Sequence, residues 1–187
     1  MRKKGLLIVV SGPSGVGKDT LVREYMKNNK AVLSISATSR KMRSNEKDGV
    51  DYYFLTNEEF ELKIKENDFL EYAIYNNCYY GTPKSKIEEE LNNGNDVFLV
   101  IEVQGGFQIK EKIKDSILIF VLPPSMEELK NRISKRGLDS KEDIENRLKI
   151  AEEEIKASNK YDYLIVNNNI DNAVEKLKLI INEEKEK

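Results

Sequence analysis

Histidine and tryptophan are absent from the 187 residues, cysteine occurs once and proline four times. Without histidine the chain lacks the side chain that titrates near neutral pH and the commonest metal ligand. A Ser-His-Asp triad and a histidine zinc site are both excluded. A lone cysteine, Cys78, forbids an intramolecular disulfide and fits a reducing compartment. Its thiol is read as inert. Long hydrophobic runs are also missing. The start MRKKGLLIVVSG joins a basic cluster to a short apolar run. That run meets Gly12 and Pro13 too early for a signal peptide, and no later run reaches membrane-spanning length. The expected location is the cytoplasm, with no membrane partner. Neither charge is in excess: 31 basic and 33 acidic residues leave a net charge of −2. Such balance gives no global electrostatic case for nucleic acid or an anionic membrane as partner.

Hydrophobic residues make up 39% of the chain, enough for a core, and the length suits one compact domain. GLLIVV (5–10) is a continuous apolar run, as in a strand buried on both faces. A glycine-rich turn follows, then DTLVREYMKN with Leu21, Val22 and Tyr25 at helical spacing. Further strands are expected at AVLSIS (31–36), DVFLVIEV (96–103), SILIFVL (116–122) and YDYLIVN (161–167). Helices are expected at NEEFELKIKEN, capped by Asn57, and at KSKIEEELNNG, ended by Gly94. Two more open at Ser125 and Ser140, the first closing at Gly137, and a last helix begins at Ile170 with a frayed, charged end. The region 37–83 is more polar, rich in Tyr and Phe, with a turn signal at Asp48-Gly49. Buried strands alternating with helices predict an α/β fold with a parallel sheet covered on both faces. There is no internal repeat and no low-complexity linker.

Gly12-Pro13-Ser14-Gly15-Val16-Gly17-Lys18 fits the phosphate-loop pattern G-x-x-x-x-G-K between a predicted strand and a predicted helix. Glycines let backbone N–H groups turn in around phosphate oxygens, the helix N-terminus adds a positive field, and Lys18 reaches the β and γ phosphates. Asp19 stands where Ser or Thr usually helps hold Mg²⁺. A carboxylate is also a hard oxygen ligand, Thr20 keeps a hydroxyl beside it, and the loop is expected to bind ATP with altered metal geometry.

With that loop, SATSRKMR, DGVDYYF, FLEYAIYNNCYYGTP, IEVQGG and RGLDSKEDIENRL following in order, the chain closely resembles the guanylate kinase family over nearly its full length. The resemblance implies a phosphate-loop kinase core (about 1–35, 84–124 and 158–187), an inserted GMP-binding region (about 36–83) and a helical lid (about 125–157). It implies transfer of the γ-phosphate of ATP to GMP, and to dGMP, with Mg²⁺, by a monomer or small homo-oligomer. Arg40 and Arg43 match arginines that grip the GMP phosphate, Tyr52 a phosphate-contacting tyrosine, and Ser36, Glu71, Tyr80 and Thr82 guanine-site positions. Arg132, Arg136 and Arg147 fall where lid arginines lie; Arg40, Arg136 and Arg147 join Lys18 as the expected catalytic cations. The chain departs from the family at Asp19, and again at VIEVQGG, where Val100 replaces one of two usual acids and Glu102, longer in reach than Asp, holds the place of the other. Glu102 is retained as a GMP-site residue.

The residue types suit the reaction. A phosphate monoester ionises for the second time near pH 6, so its oxygen needs no general base at neutral pH. Transfer then needs alignment and cations around two phosphate chains. Guanine presents two N–H donors on one edge, for which Glu71 is the acceptor, and an O6 that wants a hydroxyl from Ser36 or Thr82. Each residue alone also has a plain reading, as solvated charge or core aromatic, and only the order of the motifs speaks against it. Two rivals are a ribose 1,5-bisphosphate phosphokinase, whose loop also reads Gly-Lys-Asp, and a non-catalytic peptide-binding module of the same fold.

Overall fold

The structure, a computed structural model, describes residues 4–75, 77–135 and 140–187. In chain order the elements are β1 (Leu7–Ser11), α1 (Lys18–Asn28), β2 (Ala31–Leu33), β3 (Ala37–Thr38), β4 (Tyr53–Phe54) and α2 (Asn57–Lys65). Next come β5 (Phe69–Tyr75), β6 (Cys78–Pro83), α3 (Lys84–Asn92), β7 (Asp96–Val100), α4 (Val103–Lys112) and β8 (Ile117–Leu122). The chain continues through α5 (Met126–Ser134), α6 (Lys141–Lys156), a 3-10 turn (Ala157–Lys160), β9 (Tyr163–Val166) and α7 (Ile170–Glu186).

Five strands form one parallel sheet in the order β2-β7-β1-β8-β9. Apolar residues run unbroken along β1 because both its faces are covered. Ile8 and Val10 pack with Leu21, Val22 and Leu177 of α1 and α7 on one side. Leu7 and Val9 pack with Ile87, Leu91 and Ile109 of α3 and α4 on the other. Each such side chain contributes about 1.5–3 kcal/mol by leaving water. The inserted region builds a second sheet in the order β4-β3-β6-β5, with its own small core of Ala37, Phe60 and Phe69. Phe60 stacks on Phe69 at 4.4 Å and on Tyr79 at 5.1 Å between ring centres.

Several boundaries differ from the sequence reading. Thr56, not Asn57, caps α2: its hydroxyl accepts from Glu59 N–H at 3.1 Å while the Glu59 carboxylate accepts from Thr56 N–H at 2.7 Å. The strand expected over 96–103 stops at Val100, and Val103 opens α4, a helix the sequence reading missed. Strands expected at 31–36 and 161–167 shorten to Ala31–Leu33 and Tyr163–Val166. Instead of fraying, α7 stays helical to Glu186: Lys187 pairs with Glu184 at 2.6 Å, and the Tyr163 hydroxyl donates to the Glu184 carboxylate. Leu129, Ile133 and Ala151, from the segment expected to form the lid, are buried in the same core as Ile8 and Val10.

Candidate active site

In a parallel sheet, functional loops gather at the carboxyl ends of the strands. Here those ends present the glycine loop after β1, Glu102 after β7 and Asn167 after β9. Gly15 (φ 83°) and Gly17 (φ 95°) take left-handed backbone, which turns loop N–H groups toward one centre. Asn167, buried, donates its side-chain N–H to the Val16 carbonyl at 2.8 Å. A Cβ at position 17 would lie 2.7 Å from that same nitrogen, so the glycine is what allows the brace. Lys18 lies inside the loop, its ammonium donating to the carbonyls of Gly12 (2.5 Å) and Pro13 (3.2 Å). Ser14, Asp19 and Thr20 are exposed around it.

A cleft of about 700 Å³ runs from α1 to the inserted region, lined among others by Asp19, Arg23, Ser36, Tyr52 and Val100. Burial, then Tyr80, holds the Tyr52 phenol above its ordinary value, and Asp19 adds to the rise across the cleft. Val100 presents a methyl surface where the family pattern holds an acid. The Arg40 guanidinium sits over Tyr52 and Phe54, at 5.6 and 5.8 Å from the ring centres. Its two terminal nitrogens donate to both carboxylate oxygens of Glu46 at 3.0 and 2.8 Å. That fork raises the Arg40 pKa, with Tyr80 adding to the rise, and holds Glu46 below the usual carboxylate range. Arg43 is exposed, and its backbone N–H donates to Glu46 at 2.8 Å. Glu46 was not singled out from the sequence; it sits in a polar turn whose composition gives no sign of a partner.

Glu71 is 5% exposed, which sets it apart from surface charge on a strand. Burial raises its pKa, against the pull of a hydrogen bond from Thr82 and the charge of Lys112. The Thr82 hydroxyl gives its one proton to Glu71 Oε1 at 2.5 Å. Thr82 therefore holds the carboxylate, and of the two hydroxyls considered for guanine O6 only Ser36 remains uncommitted to it. The other carboxylate oxygen faces the first turn of α4, where a Cβ at Gly105 would come within 2.8 Å.

Of the lid arginines, Arg132 donates to Glu128 at 2.8 Å along α5, and Arg147 is half-buried on α6. Arg136 lies outside the described residues. Glu102 precedes α4 without capping it by its side chain, and burial first, then Glu102, push the carboxyl of Glu154 on α6 up to about 7; the sequence reading passed over Glu154 as one of many acids on a charged helix. Asn167 was missed too, having no partner near it in the chain.

A guanylate kinase family profile matches residues 4–184. The guanylate kinase of Clostridium tetani is 55% identical over 98% of this chain and 88% of its own length. That of Clostridioides difficile is 52% identical over 99% and 91%. The crystal structure of guanylate kinase from Anaplasma phagocytophilum superposes with a TM-score of 0.82 at 34% identity, covering 100% of this chain and 89% of that one. A shikimate kinase from Bacteroides thetaiotaomicron, with a TM-score of 0.53 at 14% identity, shares the fold alone. Phosphate loop, inserted sheet and full-length similarity agree, and the chain belongs to the guanylate kinase family.

Proposed function

We propose that this protein transfers the γ-phosphate of ATP to GMP, and to dGMP, giving ADP and GDP or dGDP in purine nucleotide metabolism. The observation that carries this reading is the cleft in which Asp19, beside the phosphate loop, faces Tyr52 with Arg40 stacked on it. Donor and acceptor phosphates then meet between cations, which is what transfer to an already ionised phosphate requires.

Lys18 exchanges the Gly12 and Pro13 carbonyls for β- and γ-phosphate oxygens. Arg40, Arg43 and Tyr52 take the acceptor phosphate, with Glu46 holding the Arg40 fork in plane. Glu71 accepts both N–H groups of the guanine edge, Ser36 donates to O6, and Thr82 fixes the carboxylate. Tyr80 lines the guanine side, and Glu102 orients the acceptor end. Arg136 and Arg147 bring charge to the group in flight when the lid closes, Arg132 adds its charge from α5 without moving, and closure excludes water. Asp19 and Thr20 offer adjacent hard oxygens at the loop, a set that suits Mg²⁺, which takes one or two protein ligands and its remainder from phosphate and water. Mg²⁺ bound with ATP supplies neutralisation of the β- and γ-phosphate charge. The substrates are small molecules, and the enzyme works in the cytoplasm as a monomer or small homo-oligomer.

The test is release of ADP with GMP, dGMP, AMP, ribose 1,5-bisphosphate or no acceptor. A site built to hydrogen-bond guanine should favour GMP over AMP by as much as ~10⁴ in kcat/KM. Equal turnover with AMP, or with the sugar phosphate, would remove the reading.

A further inference from the structure

We propose that Lys112 is a positioning residue for guanine recognition: from α4 it clasps the bulged backbone of β5 and so fixes the aim of the Glu71 carboxylate. The inference rests on the reading of Glu71 as the acceptor for the guanine edge.

The pairing of β5 with β6 slips once. Phe69 stands opposite Pro83, but Glu71 already stands opposite Thr82, so Leu70 is an extra residue without a partner in the ladder. Such a bulge turns the next side chain to the other face of the sheet. In an even strand Glu71 would share the face of Phe69, which packs on Phe60 in the small core. With the bulge it lies on the face of Thr82, whose hydroxyl donates to its Oε1 at 2.5 Å. Alternation resumes from there: Tyr72 pairs with Gly81, where an added Cβ would lie 2.9 Å from the Phe60 ring. The aim of the carboxylate therefore depends on one irregular residue.

A bulge locally breaks the ladder, and β5 is the edge of its sheet, with β6 on one side only. Helix α4 of the core packs along it. Gly105, Gln108 and Lys112 are spaced i, i+3, i+7 and share one face of that helix. Each meets β5. Gly105 leaves room for Glu71 Oε2, which a Cβ there would approach to 2.8 Å. The Gln108 side-chain amide donates to the Tyr72 carbonyl at 3.2 Å. The Lys112 ammonium donates to the Leu70 carbonyl at 2.6 Å. These two carbonyls flank Glu71, and the shorter, charge-assisted bond falls on the bulge itself, so Lys112 is the stronger hold. The Leu70 side chain is buried on the α3 and α4 side of the core, which leaves the extra residue gripped by its side chain and by its carbonyl. The charge of Lys112 also opposes the burial that raises the Glu71 carboxyl, and so favours the ionised form that can accept two N–H groups. A lysine in the last turn of a helix also steadies the helix end by charge alone, an effect that would touch both substrates alike.

Steady-state ADP release by the whole enzyme tests this. Lys112→Met keeps the length of the side chain and removes donor and charge. KM for GMP should rise roughly ten-fold with kcat and KM for ATP held, because an acceptor that loses its aim weakens binding of the base and not the chemical step. Preference for GMP over AMP should fall by a similar factor. Lys112→Arg retains donor and charge and should recover most of the parental KM. In a Glu71→Ala enzyme, whose acceptor is already gone, adding Lys112→Met should change kcat/KM for GMP by less than about two-fold, since the lysine acts through that carboxylate. Three results overturn the proposal: a parental KM for GMP in Lys112→Met, equal rises in KM for both substrates, or a further loss on Glu71→Ala as large as that in the parent. GMP turnover by the parent leaves the function standing in each case, whereas a parent that ignores GMP removes both.

Discussion

Gly105 has no room for a side chain. A methyl there would meet a Glu71 oxygen at 2.8 Å, and that carboxylate cannot swing away freely because Thr82 holds its other oxygen and burial surrounds it. Gly105→Ala should displace Glu71, the proposed guanine acceptor, rather than unfold the chain, since overpacking one methyl costs about 1–3 kcal/mol. KM for GMP should rise on the order of 10-fold while KM for ATP holds; equal changes in both would place Glu71 outside the base site. Asp19 makes a second residue-level prediction. If its oxygen holds Mg²⁺, Asp19→Ala and Asp19→Asn both need more Mg²⁺ for half-maximal rate, and Asp19→Ser stays active with a shifted metal preference. If repulsion from the triphosphate rules, Asp19→Asn binds ATP more tightly than the parent at every Mg²⁺ concentration. Lys18→Ala should abolish most transfer with the fold intact, because its ammonium already lies inside the loop; normal turnover in a folded variant contradicts the loop assignment.

Among elements, α4 and β9 show what a local reading of the chain can and cannot reach. β1, α1 and the glycine loop are legible because their pattern is local: an unbroken apolar run, then glycines, then helical spacing. The α4 segment, VQGGFQIKEK, places two adjacent glycines after a buried strand, which reads as a strand end. Those glycines are instead contact surfaces, one against Glu71 and one against Tyr161 and Ser11, and nothing nearby in sequence announces such neighbours. Glu46 and Glu154 escaped notice because acids are common and their partners are distant or featureless. The residues proposed for the acceptor, Arg40, Tyr52 and Glu71, stand out in the sequence only as members of an ordered set of motifs. β9 contributes Asn167, whose brace on Val16 is the element's functional output. Asn167→Ala strands a buried carbonyl, at a cost of about 1–3 kcal/mol. It should lower Tm and raise KM for ATP more than KM for GMP; a rise confined to GMP would show that the brace does not shape the donor loop.

For the whole molecule, the burial of Leu129 and Ile133 constrains how the enzyme closes. Ile133 packs on the phosphate loop at Gly15, where an added Cβ would lie 3.0 Å away, so α5 belongs to the frame. Closure is then expected of the inserted sheet, which has its own small core, and of the amino-terminal turns of α6. Hydrogen exchange with both substrates bound should slow over residues 36–56 and the start of α6, with α5 unchanged; protection gained chiefly in α5 would reverse that division. The brace from Asn167 to Val16 has one more consequence, for the order of assembly. It joins residues 151 positions apart, and β1 stands between β7 and β8, made long after it. On the ribosome the loop emerges early, but it cannot be locked until β9 has followed, because contacts of such separation form late. A chain halted before residue 167 would carry every glycine of the loop and still lack its last fastening, so ATP should select finished molecules from nascent ones.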